Sequence, residues 1–230
     1  PVIFMKLETK NFYKTVGALV LPIALQNLIN VAVTSADVVM LGRVGETVLS
    51  GSSLAGQVQF VLTLFLFGLT SGAAVLTAQY WGKKDMRTIE KVMGIAFRFS
   101  IIVSVIFLLA VQIFPAQVMS IFTPEQPVID EGVKYLRIVS FTYLLCAVTQ
   151  VYLNVMRSVE RVVIATVTYS VSLIVNIVIN GILIFGLLGF PRLGIVGAAI
   201  GTLIARIVEV LIVVVYAKTK SILNFKLRDL

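Results

Sequence analysis

Asp37 stands alone in a long apolar stretch, AlaValThrSerAlaAspValValMetLeu, which otherwise has the composition of a membrane-spanning helix. A carboxylate at hydrocarbon depth costs about 2.5–3.5 kcal/mol on insertion scales, so it ordinarily faces a polar cavity and handles an ion or a proton there. Asn176 and Asn180 are four residues apart, and so present two amides from one helical face. With the Thr202 hydroxyl they complete an oxygen-rich set of one negative charge, which suits a hard monovalent cation or a proton. Protonation of Asp37 would change the charge of the pocket. The structural alternative for Asn176, Asn180 and Thr202 is hydrogen bonding between helices. For Asp37 that alternative requires a buried partner, and no basic residue neighbours it in sequence before Arg43.

The elements that must position these groups follow from hydropathy. The chain is 59% hydrophobic and 13% charged, with a mean hydropathy of +1.02, which marks a membrane protein. Residues 15–36, 47–82, 99–124, 138–156 and 162–191 carry no Asp, Glu, Lys or Arg, and each approaches or exceeds the ~20 residues that cross a bilayer core. A sixth apolar segment, 194–217, carries Arg206 and Glu209; three residues apart on a helix, they are expected to form a mutual ion pair. The reading is an all-α bundle of six transmembrane helices, at about 16–41, 49–80, 92–114, 133–156, 162–186 and 195–217, in one domain over 1–230.

Pro22 permits a bend in the first helix. The Gly68/Gly72 and Gly197/Gly201 spacings predict close helix approach. PhePro, ThrPro and GlnPro steps between 115 and 130 predict a short surface excursion.

The net charge of +8 does not point to nucleic acid, because its distribution marks one membrane face. Lys6, Lys10 and Lys14 precede the first helix; Lys83, Lys84, Arg87 and Lys91 surround the second connection; Arg157 and Arg161 lie in the fourth; Lys218, Lys220, Lys226 and Arg228 follow the last helix. Under the positive-inside rule both termini are cytoplasmic in a multi-pass plasma (inner) membrane protein. At ~1.5 Å rise per residue, Asp37 lies about 34 Å past Lys14, Asn176 and Asn180 about 22 and 28 Å past Arg161, and Thr202 about 24 Å before Lys218. All four fall in the outer half of the bundle. There is no histidine and a single cysteine, Cys146, which argues against a hydrolase, a transition-metal site or a disulfide. No catalytic residue and no organic cofactor are expected.

ProIleAlaLeuGlnAsn at 22–27, AspValValMetLeuGlyArgValGly at 37–45, AlaGlnTyrTrpGlyLysLysAsp at 78–85, AsnIleValIleAsn at 176–180 and GlyAlaAlaIleGlyThr at 197–202 are together similar to the amino-terminal lobe of the multidrug and toxic compound extrusion (MATE) family. The resemblance covers essentially the whole chain. It implies a fold of twelve helices in two six-helix lobes, of which this chain would be one, partnered by a second lobe of the same parent chain or a paired subunit. It also implies export of small amphipathic organic cations in exchange for Na+ or H+, with the coupling ion held by Asp37, Asn176, Asn180 and Thr202. Tyr135, Asn154 and Asn30 would join the proton network and drug-facing cavity. Some relatives carry a second carboxylate where this chain has Asn180, so a scheme needing two acids is not available here. Two other readings stay open: a flippase of lipid-linked sugars or cell-wall precursors in the same superfamily, with a more cationic cavity, and a structural or ion-conducting subunit with no exchange cycle.

Overall fold

The computed structural model describes residues 2–219, leaving aside the side chains of 2–15 and of Ala18, Leu19, Pro22, Gln26, Asn30 and Val33. Among the described residues the chain is helical throughout, with no strand: α1 (Val2–Gly42), α2 (Glu46–Gly82), α3 (Met86–Ile113), α4 (Pro115–Ser120), α5 (Gln126–Val139), α6 (Thr142–Ser158), α7 (Val163–Phe185) and α8 (Ile195–Thr219), with a 3-10 turn at Leu187–Gly189. Among the described residues five helices are long and apolar enough to cross a membrane, and α5 with α6 makes a sixth span when the bent pair is counted as one.

The fourth span departs from its expected outline of 133–156. It starts at Gln126, with Pro127 in the first turn, where a missing amide donor is harmless, and it bends by 53° between Val139 and Thr142. Side chains satisfy the polar groups at the break. Gln112 of α3 donates through Nε2 to the Arg137 carbonyl and to the Ser140 hydroxyl, both at 2.8 Å, and the Thr142 hydroxyl donates to the Val139 carbonyl at 2.6 Å. A broken helix at membrane depth is tolerated only when such partners exist. Pro115 likewise opens the short helix α4 inside the region expected to be an irregular excursion. α1 continues through position 22 as one helix.

Glycines decide where helices touch. A Cβ on Gly51 would come within 2.9 Å of the Gly132 amide nitrogen, so α2 and α5 cross at backbone contact. A Cβ on Gly197 would come within 2.8 Å of the Leu183 carbonyl carbon and oxygen, so the Gly197/Gly201 face packs tightly, and its partner is α7. Gly186 ends α7 in the left-handed region at φ 71°, and the Leu193 amide then donates to the Leu183 carbonyl at 2.9 Å, turning α8 back along α7. Gly68 and Gly72 behave otherwise. Both are exposed with no atom near a would-be Cβ, so their spacing marks an open face among the described residues.

Among the described residues three apolar clusters hold the bundle, the smallest joining Leu41, Ile184 and Ala198 of α1, α7 and α8; the other two are larger. One joins Ile89, Met93, Phe97, Leu153, Met156 and Ala165 of α3, α6 and α7 at the end carrying Trp81 and Ala217. The other joins Leu62, Leu66, Val111, Leu136 and Tyr143 of α2, α3, α5 and α6. Many large apolar side chains face outward, including Leu21, Leu28, Val31, Phe65, Phe67 and Ile106, as expected of helices solvated by lipid. At the basic turn between α2 and α3, the Asp85 carboxylate accepts from the Thr88 hydroxyl at 2.6 Å and the Thr88 amide at 3.1 Å, capping α3. These Thr88 hydrogen bonds hold the Asp85 carboxyl below the usual carboxylate range.

Candidate functional site

Between α1, α2, α5, α7 and α8 lies a cavity of about 500 Å³ lined by Asp37, Tyr135, Asn176 and Thr202, together with Ser52, Gln57, Gln59, Thr63, Ser172 and Arg206. α1 carries Asp37 to this wall five residues before its end at Gly42, and α1 packs extensively on α7. There Asn180 donates through Nδ2 to Asp37 Oδ1 at 2.6 Å and to Asn176 Oδ1 at 3.2 Å. One amide thus bridges two acceptors. It can reach them because Gly201 of α8 has no side chain: a Cβ there would overlap the Asn180 Oδ1 atom.

The remaining oxygens of this wall are under-used. Asn180 Oδ1 is buried without a hydrogen-bond partner, and so is the Thr202 hydroxyl. Buried polar atoms ordinarily have partners, so two such oxygens beside a carboxylate offer free acceptor capacity to a cation. The donor set available to a cation is therefore one carboxylate, two amide oxygens and a hydroxyl, all hard ligands. With a single carboxylate the set carries low charge, which suits a monovalent cation or a proton.

Asp37, Asn176, Asn180, Thr202 and Tyr135, drawn from four helices, lie together at this wall. Asn154 does not join them. Its Nδ2 donates to the Gln150 carbonyl one turn back on α6 at 2.9 Å, and it is not among the lining residues. The Asn30 side chain lies outside the described residues.

Two features were not anticipated. α2 contributes a polar stripe of Ser52, Gln59 and Thr63, with Gly56 in register; its spacing of three and four was present in the sequence but diluted by apolar neighbours. Arg206 is the second. It forms the expected pair with Glu209, Nη1 lying 2.9 and 2.8 Å from the two carboxylate oxygens, but it also lines the cavity. Asp37 accordingly has a basic neighbour in space that its own sequence surroundings do not show.

The family model MatE matches residues 22–182. The chain belongs to the MatE family. MatE proteins are transporters, and the chain is read accordingly as a multi-pass membrane protein. It is 24% identical over 222 residues to the probable multidrug resistance protein YoeA of Bacillus subtilis, covering 96% of this chain and 48% of that protein. It is 28% identical over 177 residues to the probable multidrug resistance protein NorM of Rhizobium meliloti, covering 76% and 38%. Among solved structures, an outward-facing multidrug resistance MATE family transporter of the MOP superfamily superposes with a TM-score of 0.83 at 21% identity, covering 94% of this chain and 48% of that one. A MOP superfamily transporter from Pyrococcus furiosus, described as having a binding pocket of reverse polarity, gives 0.83 at 21% identity, covering 94% and 47%. The chain spans about half the length of the relatives it matches, consistent with one lobe of a two-lobe MatE fold.

Proposed function

We propose that this chain is the ion-coupling lobe of an antiporter that exports amphipathic organic cations in exchange for Na+ or H+ by alternating access. A second six-helix lobe completes the substrate cleft, and both termini face the cytoplasm from the plasma (inner) membrane. The observation that carries this reading is the Asp37 carboxylate on a cavity wall, held by the Asn180 amide, with Asn176 and two partnerless oxygens beside it. The names of the relatives, multidrug resistance proteins, support drug export; the cationic character of the cargo rests on the Asp37 carboxylate lining the cavity.

In this scheme Asp37 takes up the cation, and Asn176, Asn180 and Thr202 replace part of its hydration shell. The ion must bind more tightly to one state of the lobe than to the other, because coupling needs only that difference. Loading changes the charge at the α1–α7–α8 contact, weakening the hold on a cationic substrate through Asp37 and shifting α1 against α7. Tyr135 lines the same cavity from α5.

The flippase reading draws on Arg206, the one Lys or Arg among the cavity-lining residues. Glu209 neutralises that charge, so the cavity with its ion pair stays net negative and favours a cationic cargo. The decisive experiment is cation-driven dye extrusion by the complete transporter in vesicles. Asp37→Asn is expected to abolish extrusion while membrane insertion is retained. Undiminished extrusion would exclude the scheme, and ion conductance without dye movement would support a channel instead.

A further inference from the structure

Arg206 follows Thr202 by four residues on α8 and so occupies the next turn of the same face. A guanidinium thus sits one turn from the proposed cation seat. Both side chains line one cavity with Asp37, and the Arg206 charge attracts the Asp37 carboxylate. Nη1 alone is committed, to both oxygens of Glu209; Nε and Nη2 form no hydrogen bond among the described residues, although Arg carries five donors. The Glu209 side chain is 1% exposed and its partner 28%, so the pair has a buried negative end and a positive end turned to the cavity.

A fixed positive charge this close to a cation site cannot be neutral in effect. We propose that Arg206 is a tethered counter-cation that competes with the coupling cation for Asp37, with Glu209 as the holding partner that limits the competition. With the seat empty, the free N–H groups of Arg206 compensate the Asp37 carboxylate, so the lobe can pass between its two states without an unpaired intramembrane charge. With the seat filled, the incoming cation repels the guanidinium, which rests wholly on Glu209. The other titratable groups that feel this pair are Tyr135 on α5, Cys146 on α6 and Tyr169 on α7. All are neutral in their ordinary state, which leaves Asp37 and Glu209 as the two anions between which Arg206 is shared.

This inference rests on Asp37 being the cation seat, and its test separates the two ideas. The complete protein is reconstituted in lipid nanodiscs, and Asp37-dependent binding is followed for ²²Na+ at alkaline pH and for protons by the infrared band of the carboxylic acid that Asp37→Asn removes. Glu209→Gln releases Arg206 from its holding partner and is expected to weaken cation binding by about tenfold, the scale of one charge interaction inside a protein. The double variant Arg206→Gln with Glu209→Gln removes the competitor without leaving a lone buried charge, and is expected to bind the cation about tenfold more tightly than the native protein. These opposite signs are not produced by a merely structural ion pair, whose loss would lower stability and leave the affinity of folded protein unchanged. If the double variant does not fold, Glu209→Gln alone decides, and unchanged or tighter cation binding there overturns the proposal. Unchanged or weaker binding by a folded double variant overturns it too. Absence of any Asp37-dependent binding in the native protein would instead sink the underlying assignment of the seat.

Discussion

The α3–α6–α7 core and the α1–α7–α8 wall share a helix but treat their interior differently. In the core, Met93, Ile89, Leu153 and Ala165 are fully buried against one another. At the wall, Asp37 is only half-buried, Asn180 Oδ1 and the Thr202 hydroxyl lack partners, and a cavity of about 500 Å³ remains. One region spends its contacts on stability. The other leaves bonding capacity unused. Partnerless buried hydroxyls also occur on α3, at Ser100 and Ser104, but at the wall the partnerless oxygens lie beside a carboxylate and a cavity, the combination that a reversible ion site requires.

That contrast predicts a double dissociation. The largest effect on folding belongs to the core: Leu153→Ala is expected to lower stability by about 2–5 kcal/mol, as large-to-small changes at closed positions do. Its check is denaturation of the purified protein, with half-saturation for the cation unchanged in the folded fraction. Gly201→Ala should act mainly on the wall. Its new Cβ displaces the Asn180 side chain from Asp37 and comes within 2.9 and 3.3 Å of Asn180 Cγ and its backbone nitrogen, so some stability is lost as well, while in the folded fraction ²²Na+ affinity falls about tenfold through loss of the Asn180 oxygen from the seat. Affinity unchanged in Gly201→Ala would show that Asn180 has no part in the seat. Thr202→Val removes one under-used oxygen and is expected to weaken binding several-fold, about 1 kcal/mol or less, with no loss of stability. A stability loss as large as that of Leu153→Ala would mean that Thr202 is interhelical glue.

The smallest effect lies outside both regions, at the α3 cap. The folded-state carboxyl of Asp85 is held low by Thr88, so its contribution is present above the unfolded value and is lost as pH falls through the folded one. Asp85→Asn should therefore differ from the native protein at neutral pH and converge with it in acid, without touching cation binding at any pH.

Much of this was legible in the amino-acid sequence, for reasons that are specific. Charge-free runs of bilayer length disclose spans because lipid excludes ionised side chains, and Asp37 was visible because it breaks such a run. Asn176 and Asn180 declare a shared face by their spacing of four. Other features stayed hidden because they depend on partners remote in sequence. The bend at Ser140 is supported by Gln112, which lies 28 residues away. The open stripe at Gly68 and Gly72 has the same spacing as the packed one at Gly197 and Gly201, and only the neighbouring backbone tells them apart. Asn154 shares the chemistry of Asn176, yet its amide is engaged by its own helix. The spacing of Arg206 and Glu209 discloses their pairing, but the second exposure of Arg206, toward the cavity that Asp37 lines, needs the fold of α1 against α8.

The most direct test of the account is equilibrium cation uptake by the complete protein in nanodiscs, measured as ²²Na+ bound at alkaline pH and as protons bound on acidification, for the native protein and Asp37→Asn. The account predicts one saturable cation in this lobe that disappears in Asp37→Asn, with the variant still folded and inserted. Equal uptake of both Na+ and protons by the two proteins would contradict it.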